Sequence, residues 1–257
     1  HALICHYCGY REELPQQCPV CTSRRILTLG YGTEKMEEEL KLYFPEATVG
    51  RMDLDTTRTR SGYESLIEDF EKGDTNILVG TQMVTKGLDF DRVQLVGVFD
   101  ADRMMHFPDF RSYERAFQLI LQVSGRAGRR ERQGKVVIQT SNTQHPLFRF
   151  IIDHNTTGFL DEQLHDREVF AYPPFARLIE ITLKHVDRTV AESAADWFAN
   201  QTHQAIKGVR ILGPAKGIVS KIRNEYLFKI MMKIPRNQGK LSNIKDALLN
   251  IEQQLGL

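Results

Sequence analysis

Residues 30–154 alternate between two hydrophobic periods, which predicts helices and strands in turn along this part of the chain. An apolar repeat of three to four residues predicts helices over residues 33–44, 61–72 and 110–127. Shorter apolar runs predict strands over residues 48–52, 76–80, 94–99 and 135–140. Because the run at 93–99 is almost continuously apolar, we expect parallel strands that are buried on both faces. The pattern therefore predicts an α/β domain, an α/β/α sandwich, over residues 30–155.

Local signals predict where two of these helices begin and end. Thr33 is placed to cap the first helix, since a threonine hydroxyl can accept a hydrogen bond from a first-turn backbone amide. Gly73 follows the second helix, and a glycine just beyond the last periodic residue is a termination signal. Helix ends and buried faces are thus predicted from separate features of the sequence.

The hydrophobic pattern changes after Pro146. Residues 147–169 have a helical pattern, and the Tyr172-Pro-Pro-Phe175 segment breaks it, because proline lacks an amide donor and restricts the residue before it. Beyond it we predict strands over 177–186 and 226–234 and helices over 189–206 and 240–255. These elements predict a small α+β domain over residues 156–257, with an antiparallel sheet and helices on one of its faces.

The composition is that of a folded globular protein of about two domains, with 257 residues, 41% hydrophobic and 26% charged. No signal peptide or transmembrane run is apparent, so we expect a cytoplasmic protein without a membrane partner. The net charge of +1 conceals a basic segment, residues 207–240, which holds nine Lys or Arg and one acid, Glu225. This segment is either a phosphate-backbone contact through Lys221, Arg223 and Lys229 or a solvated basic face.

Several aromatic and sulfur-containing side chains have two interpretations each. Tyr226 and Phe228 could stack on bases beside the basic residues, but alternation along a strand favours core packing for at least one face. Trp197 is expected to be a packing residue of its helix. The Met104-Met105-His106-Phe107 segment is hypothesised to face DNA or a second lobe, because four such residues need a docking partner.

All four cysteines fall in two pairs, Cys5 with Cys8 and Cys18 with Cys21, and each pair encloses two residues. Paired knuckles of this spacing present thiolates for a tetrahedral Zn²⁺ site. A disulfide would need an oxidising compartment, and a redox motif would need a single pair at a helix start. His6 could replace one thiolate in principle, but four cysteines already complete the coordination, so we expect it to lie in a loop.

Two further segments carry residues suited to binding phosphate. Residues 79–90 read VGTQMVTKGLDF and follow an apolar run, whereas residues 122–129 read QVSGRAGR. Guanidinium groups bind phosphate oxygens and stabilise a transferring phosphoryl group, although an exposed basic helix end is an alternative explanation for Arg126 and Arg129. Together the two segments resemble motifs V and VI of superfamily-two helicases. The motif V pattern, T-x-x-x-x-x-G-x-D, matches residues 81–89, and the motif VI pattern, Q-x-x-G-R-x-G-R, matches residues 122–129.

The order of zinc knuckles, Gly30–Glu34, motif V, motif VI and Tyr172–Phe175 resembles the primosomal protein N′ (PriA) family of replication-restart helicases. This resemblance implies a RecA-like second helicase lobe, a partial zinc region over residues 1–29, and ATP with Mg²⁺ in the complete enzyme. It implies catalytic roles for Gln122, Arg126 and Arg129, nucleotide contacts by Gly87, Asp89, Gly125 and Gly128, and DNA contacts by Thr33 and Thr81. In that family eight cysteines bind two zinc ions, so the two pairs here share one ion or belong to two nested sites.

The resemblance also implies 3′-to-5′ translocation and primosome assembly at stalled or abandoned replication forks. The implied partners are forked and single-stranded DNA, single-stranded-DNA-binding protein, and other primosome and helicase-loading proteins.

One expected feature is missing from the sequence. No G-x-x-x-x-G-K-[ST] phosphate loop occurs, since Gly134-Lys135 is followed by valine and Gly239-Lys240 by leucine. With half of an ATP site, these residues are expected not to hydrolyse ATP by themselves. Two other interpretations remain: a noncatalytic zinc-ribbon nucleic-acid-binding or scaffold protein with a degenerate lobe, and a different helicase of the same superfamily.

Overall fold

The computed structural model describes residues 2–4, 11–13, 15–18, 21–25, 32–53, 56–57, 59–81, 90, 92–125, 134–237 and 241–255. The chain forms two compact units: residues 27–159 make one, and residues 1–26 together with 160–257 make the other. In the described part, no helix has the length and apolar character needed to cross a membrane.

Helices and strands alternate through most of the described chain. In order they are β1 (Ala2–Ile4), β2 (Arg11–Glu13), α1 (Thr33–Tyr43), β3 (Val49–Met52), α2 (Arg60–Lys72), β4 (Ile77–Gly80), β5 (Leu95–Val98), α3 (Ala101–Met105), α4 (Ser112–Ser124), β6 (Lys135–Ile138), α5 (Pro146–Ile152), α6 (Thr156–Val169), β7 (Ala176–His185), α7 (Arg188–Ala205), β8 (Arg210–Ile222), β9 (Glu225–Pro235) and α8 (Leu241–Gln254).

The strands of the 27–159 unit pair in parallel, as the sequence predicts. β3 pairs with β4 and β5 pairs with β6, and in each pair the strands run side by side without a register shift. The prediction that β5 is buried on both faces is wrong for the described chain, because Leu95 is 62% exposed. Val98 and Ile138 pack against the core of the unit, and alternation along each strand directs Leu95 and Val137 to the other face.

Two hydrophobic clusters hold this unit together. The larger one joins α3, α4 and α5 to Phe159, and Ala101, Ala116 and Ile120 are fully buried in it. Met105 is buried here and Met104 packs against the cluster, so the hypothesis that both face DNA or another lobe is wrong. His106 and Phe107 are exposed. The two methionines thus have their packing partners in this cluster of the same unit.

Two helix boundaries differ from the prediction and one agrees with it. Gly32, not Thr33, is the N-cap residue of α1, and Thr33 is the first helical residue. The predicted helix over 147–169 is two helices, because His154 takes a left-handed conformation with φ of +52° between α5 and α6. Gly73 ends α2 with φ of +92°, and its amide donates to the Asp69 and Phe70 carbonyls, which confirms the predicted stop.

The C-terminal part is the predicted α+β arrangement. Three antiparallel strands lie in the order β7-β9-β8, and the β7–β9 ladder runs from Ala176 opposite Pro235 to His185 opposite Tyr226. Helices α7 and α8 cover one face, where Ile230, Met232 and Ile234 are fully buried. Trp197 of α7 packs against this core, as expected.

Strand β8 is absent from the sequence prediction. Its pairing with β9 shifts register between Leu212 and Ala215 and again between Lys216 and Lys221, so its alternation is interrupted twice. Gly213 explains the first interruption, because its φ is +100° and an added Cβ would lie 2.6 Å from the Lys229 carbonyl oxygen.

A buried lysine ties the proline segment to the sheet. Lys233 of β9 is 5% exposed, its Nζ donates to the Phe170 carbonyl at 2.7 Å, and the same atom lies 3.4 Å from the centroid of the Tyr172 ring. Burial, with a smaller contribution from Arg210, lowers the pKa of Lys233. Arg167 donates to the Pro173 carbonyl at 2.9 Å, so this segment is held at two points.

Candidate nucleotide and nucleic-acid site

The described part of motif VI lies at the end of helix α4. Gln122 is exposed on the last turn, and the Gly125 amide donates to the Leu121 carbonyl at 3.0 Å, which closes the helix. The other predicted nucleotide-binding residues of the motif, Arg126, Gly128 and Arg129, lie outside the described residues. Their roles in ATP binding therefore stay predictions.

The described surroundings of Gly125 do not by themselves require glycine. Its φ is −67°, and an added Cβ would first meet the Leu121 carbonyl oxygen at 3.5 Å, an ordinary contact distance. A glycine that the local packing does not demand is consistent with close approach of a ligand, which is the role that the helicase motif predicts.

Motif V begins at the carboxyl end of strand β4. Thr81 follows Gly80 directly and is exposed, whereas Gly87 and Asp89 lie outside the described residues. Phe90, the next described residue, is 6% exposed and packs edge-to-face on Phe70 of α2, with ring centroids 4.7 Å apart. Thr81 thus lies at the sheet edge where open α/β folds bind ligands, and Phe90 is fixed by its packing against α2.

At the same sheet edge, Asp53 contacts residues of helix α1, of strand β3 and of the turn at Thr56. It follows β3 as Thr81 follows β4, and the two strands end in register, Met52 opposite Gly80. Its carboxylate accepts from the Thr33 hydroxyl at 2.7 Å and from the Thr56 amide at 3.0 Å. The Arg51 guanidinium also lies against this carboxylate, with Nε 3.3 Å from Oδ2.

The Asp53 contacts bear on the predicted role of Thr33. Because the Thr33 hydroxyl donates its one proton to Asp53, it cannot donate to a DNA phosphate while that bond is formed. A phosphate contact at this position would use a backbone amide of the first turn of α1, whose N-cap makes no side-chain hydrogen bond. The DNA contact by Thr33 therefore stays a prediction, with the backbone as its more accessible donor.

Arg51 is surrounded by acids. Its Nε lies 3.4 Å from Glu37 Oε2 as well as near Asp53, and its Nη1 lies 4.0 Å from Glu34 Oε1. The Nε group is buried and is not aligned for a hydrogen bond with either neighbour. Sequence reasoning missed Arg51 and Asp53, although an aspartate directly after a predicted strand is a signal that could have found the second.

Replacing Asp53 with alanine should lower the free energy of unfolding by roughly 1–3 kcal/mol, because it leaves part-buried donors without their acceptor. Asp53→Asn keeps one acceptor oxygen and should cost less. Denaturant titration of both variants measures the difference. Equal stability of Asp53→Ala and the parent would contradict a connecting role for this carboxylate.

A second aspartate ties the ends of strands β5 and β6 together. Asp102 of α3 accepts from the Ser141 amide at 2.6 Å and from the Thr140 hydroxyl at 2.8 Å. These hydrogen bonds, that of the Ser141 amide first, lower the pKa of Asp102. Asp100, the N-cap of α3, has a left-handed backbone with φ of +50°. Sequence reasoning missed both residues, which lie just after a predicted strand.

The second cysteine pair lies on a closed turn. The Thr22 amide donates to the Cys18 carbonyl at 2.9 Å, the Cys18 amide donates to the Ser23 carbonyl at 2.8 Å, and Thr22 has φ of +55°. Such a turn suits the two-residue spacing of a zinc knuckle, and the thiolate chemistry of Cys18 and Cys21 fits Zn²⁺. Cys5 and Cys8 lie outside the described residues, so the complete donor set stays a prediction.

The three basic residues predicted to bind DNA in the C-terminal part do not share one face. Lys221 lies opposite Tyr226, with Nζ 4.9 Å from the centroid of its ring, on the side covered by the helices. Lys229 lies on the other side of the sheet and pairs with Glu180 at 2.8 Å. Arg223 lies in the turn between β8 and β9, where φ is +50°. Tertiary structure thus separates residues that are neighbours in sequence.

The aromatic residues near this turn belong to the core. Phe228 is 4% exposed and packs with Ala191 and Ala195 of α7, and Tyr226 packs partly buried against the same cluster. Core packing of this face is therefore confirmed, and Phe228 is not available to stack on a base.

Comparison with known proteins defines the class first. Residues 12–131 match the helicase conserved C-terminal domain, and residues 168–255 match the primosomal protein N C-terminal domain. The chain thus combines a helicase C-terminal lobe with a small C-terminal domain of primosomal type.

Individual relatives then define the family. The chain is similar to three proteins named replication restart protein PriA. The one from Synechocystis is 41% identical over 91% of the chain, that from Bacillus subtilis 38% over 98%, and that from Haemophilus influenzae 37% over 100%. The chain belongs to the PriA family. It spans about a third of the length of these curated relatives: 28%, 32% and 36%, respectively.

Proposed function

We propose that the chain is the second helicase lobe and C-terminal domain of an ATP-dependent DNA helicase that restarts replication at stalled or abandoned forks. One observation carries the proposal: the three relatives described above, all named for replication restart, align over at least 91% of the chain, and both characteristic domains match. The position of the motif V segment, at the carboxyl end of a parallel strand, supports a ligand site in the lobe.

In the proposed mechanism, Gln122, Arg126 and Arg129 face a nucleotide whose phosphates are held by a phosphate loop elsewhere in the full-length protein. The two guanidinium groups stabilise the charge of the transferring γ-phosphoryl group, and Gly125 and Gly128 leave room for it. Gly87 and Asp89 contact the nucleotide from motif V. ATP with Mg²⁺ supplies the transferable phosphoryl group.

DNA movement follows from closure of the two lobes. An arginine supplied by a second lobe acts only when the cleft closes, so nucleotide binding brings the lobes together. Thr81 and the first turn of α1 lie at one sheet edge, and there they would hold phosphates of the translocated strand. Repeated closing and opening then moves the strand, in the 3′-to-5′ direction that the family resemblance implies.

We further propose a zinc ion held by Cys5, Cys8, Cys18 and Cys21, and a set of partners. These are forked and single-stranded DNA, single-stranded-DNA-binding protein, and other primosome and helicase-loading proteins, in a cytoplasmic, nucleoid-associated setting. The family match and the closed turn at Cys18 and Cys21 support these assignments.

The chain alone should hydrolyse ATP at no more than the background rate, with or without single-stranded DNA, because it lacks the phosphate loop. A full-length protein that supplies this loop should show DNA-stimulated hydrolysis. A coupled phosphate-release assay on both proteins tests the proposal. DNA-stimulated turnover by the chain alone would refute the first expectation, and a full-length protein without it would favour the noncatalytic scaffold.

A further inference from the structure

The edge strand β8 presents two of its three basic residues on one side of the C-terminal sheet, whereas Arg210, opposite Lys233, lies on the other side. Lys216 lies opposite Phe228 and Lys221 opposite Tyr226, and residues directly opposite in an antiparallel pair share a face. Both lysines are exposed, and both lie on the helix-covered side but at its open margin, since β8 is the outer strand. Lys229, opposite Ala215 and Thr182, points to the other side.

Charge is distributed unevenly around this margin. Strand β8 contains Arg210, Lys216 and Lys221 and no acidic residue. Arg223 follows in an exposed turn, and the one acid between residues 207 and 240 is Glu225. On the opposite face, by contrast, Lys229 is neutralised by Glu180 at 2.8 Å. The β8 margin and its turn thus hold three exposed positive charges, Lys216, Lys221 and Arg223, whereas Arg210 and Lys184 lie on the opposite face with Lys229.

We propose that Lys216, Lys221 and Arg223 form a basic rim that binds the phosphate backbone of duplex DNA, and that Lys229 takes no part. The inference rests on the proposed function and narrows it to one surface and one form of DNA. Lys216 enters the site although its sequence context alone does not distinguish it from other lysines.

Among the residues that the structure describes, no stacking surface lies beside the rim, and this favours duplex DNA. Proteins that bind single strands combine basic grooves with aromatic side chains on which bases stack. Here Tyr226 is covered by the Lys221 ammonium group and packs against the α7 cluster, and Phe228 is buried. In a duplex the bases are stacked inside and the phosphates lie on the outside. The basic side chains of the rim can bind these phosphates without a stacking surface.

Exposed aromatic residues of this part of the chain lie at the other end of the sheet. Phe170 and Phe175 are 56% and 37% exposed, and they precede Ala176, which lies opposite Pro235. The ladder from there to Tyr226 spans ten pairs, or about 30 Å at roughly 3.4 Å per residue. Bases bound at the rim therefore could not reach these rings.

A different explanation for the lysines is protection of an exposed edge. Charged side chains on an outer strand discourage pairing with a second sheet and need no ligand. Under that explanation, removing the charges leaves DNA binding unaltered. The two explanations thus predict different results in a salt titration.

The experiment measures the affinity of the chain for a short blunt duplex over a range of salt concentrations, by fluorescence anisotropy. Lys216→Ala with Lys221→Ala should flatten the log–log salt slope by about 1.8, because each lost phosphate contact removes about 0.9. Adding Arg223→Ala should flatten it by about 0.9 more. Lys184→Ala with Lys229→Ala is the matched control: it removes the same charge from the opposite face and should leave the slope unaltered.

Further variants separate the outcomes. Lys216→Arg with Lys221→Arg keeps the charge and should keep the slope, which excludes loss of folding as the cause. The proposal would be overturned if the variant lacking Lys216 and Lys221 kept the parent salt slope. It would also be overturned if the control variant lost as much of the slope as that variant. A slope change seen with a single strand of equal length but not with the duplex would overturn the choice of DNA. If the parent binds neither DNA, the rim is overturned, whereas the proposed function is judged separately by DNA-stimulated ATP hydrolysis of the full-length protein.

Discussion

Arg129→Ala in the full-length protein is expected to lower kcat for DNA-stimulated ATP hydrolysis by roughly 10³-fold, the scale measured for loss of an arginine finger. The reason is that this guanidinium would contact the γ-phosphoryl group chiefly as its charge develops. Loss of that contact raises the barrier to phosphoryl transfer and leaves DNA binding almost unchanged. Steady-state kinetics, together with DNA binding by anisotropy, measures both quantities.

Arg103→Ala offers a matched control for this prediction. Arg103 is an exposed arginine of α3 in the same unit, so its removal changes the net charge equally without affecting motif VI. Its kcat should equal that of the parent. If Arg129→Ala lowered DNA affinity as much as kcat, Arg129 would be a DNA contact and its assignment to the nucleotide would be wrong.

Loss of zinc is expected to have the second large effect. A four-thiolate site contributes an apparent free energy of roughly 10 kcal/mol or more to folding of its own region, so purified protein should hold about one tightly bound Zn²⁺. Cys8→Ser or Cys18→Ser should abolish this binding and disorder residues near 1–29. The 27–159 unit should stay folded, because its clusters of buried residues lie within it.

Metal analysis and a thermal scan test both parts of the zinc prediction. If all four thiolates share one ion, each of the two serine variants should remove all of the metal. Absence of zinc from protein prepared without chelator would contradict the prediction. Loss of the entire thermal transition in either variant would show that the region is not independent of the rest.

Local chemistry accounts for what could be predicted at the level of single elements. Gly73 ends α2 because the left-handed conformation suits glycine, and that requirement is visible in sequence. The parallel pairing of β3 with β4 agrees with their short apolar runs and the helix between them. Boundaries were less predictable where two signals competed, as at His154, where one helical pattern contains a break between two helices.

The candidate site was predictable as motifs but not as a network. The motif V and motif VI residues were chosen from sequence, and family membership confirms the class of protein that they indicate. Thr33 was chosen too, but its hydroxyl partner, Asp53, lies twenty residues away. Asp102 likewise binds Thr140 and Ser141 from another strand end. Contacts at such separations depend on how strands are placed, which periodicity does not encode.

By itself, then, the sequence determined the class of the lobe, the two-residue spacing within each cysteine pair and the order of most elements. Periodicity, turn residues and motif spacing are local properties. Only the tertiary structure decided which faces are covered and which charges remain available. Lys221 and Lys229 are eight residues apart in one basic segment. The fold places them on opposite sides of a sheet, where Glu180, 49 residues from Lys229, neutralises one of them. Burial and ion pairing are set by neighbours in space, and those neighbours come from distant parts of the chain.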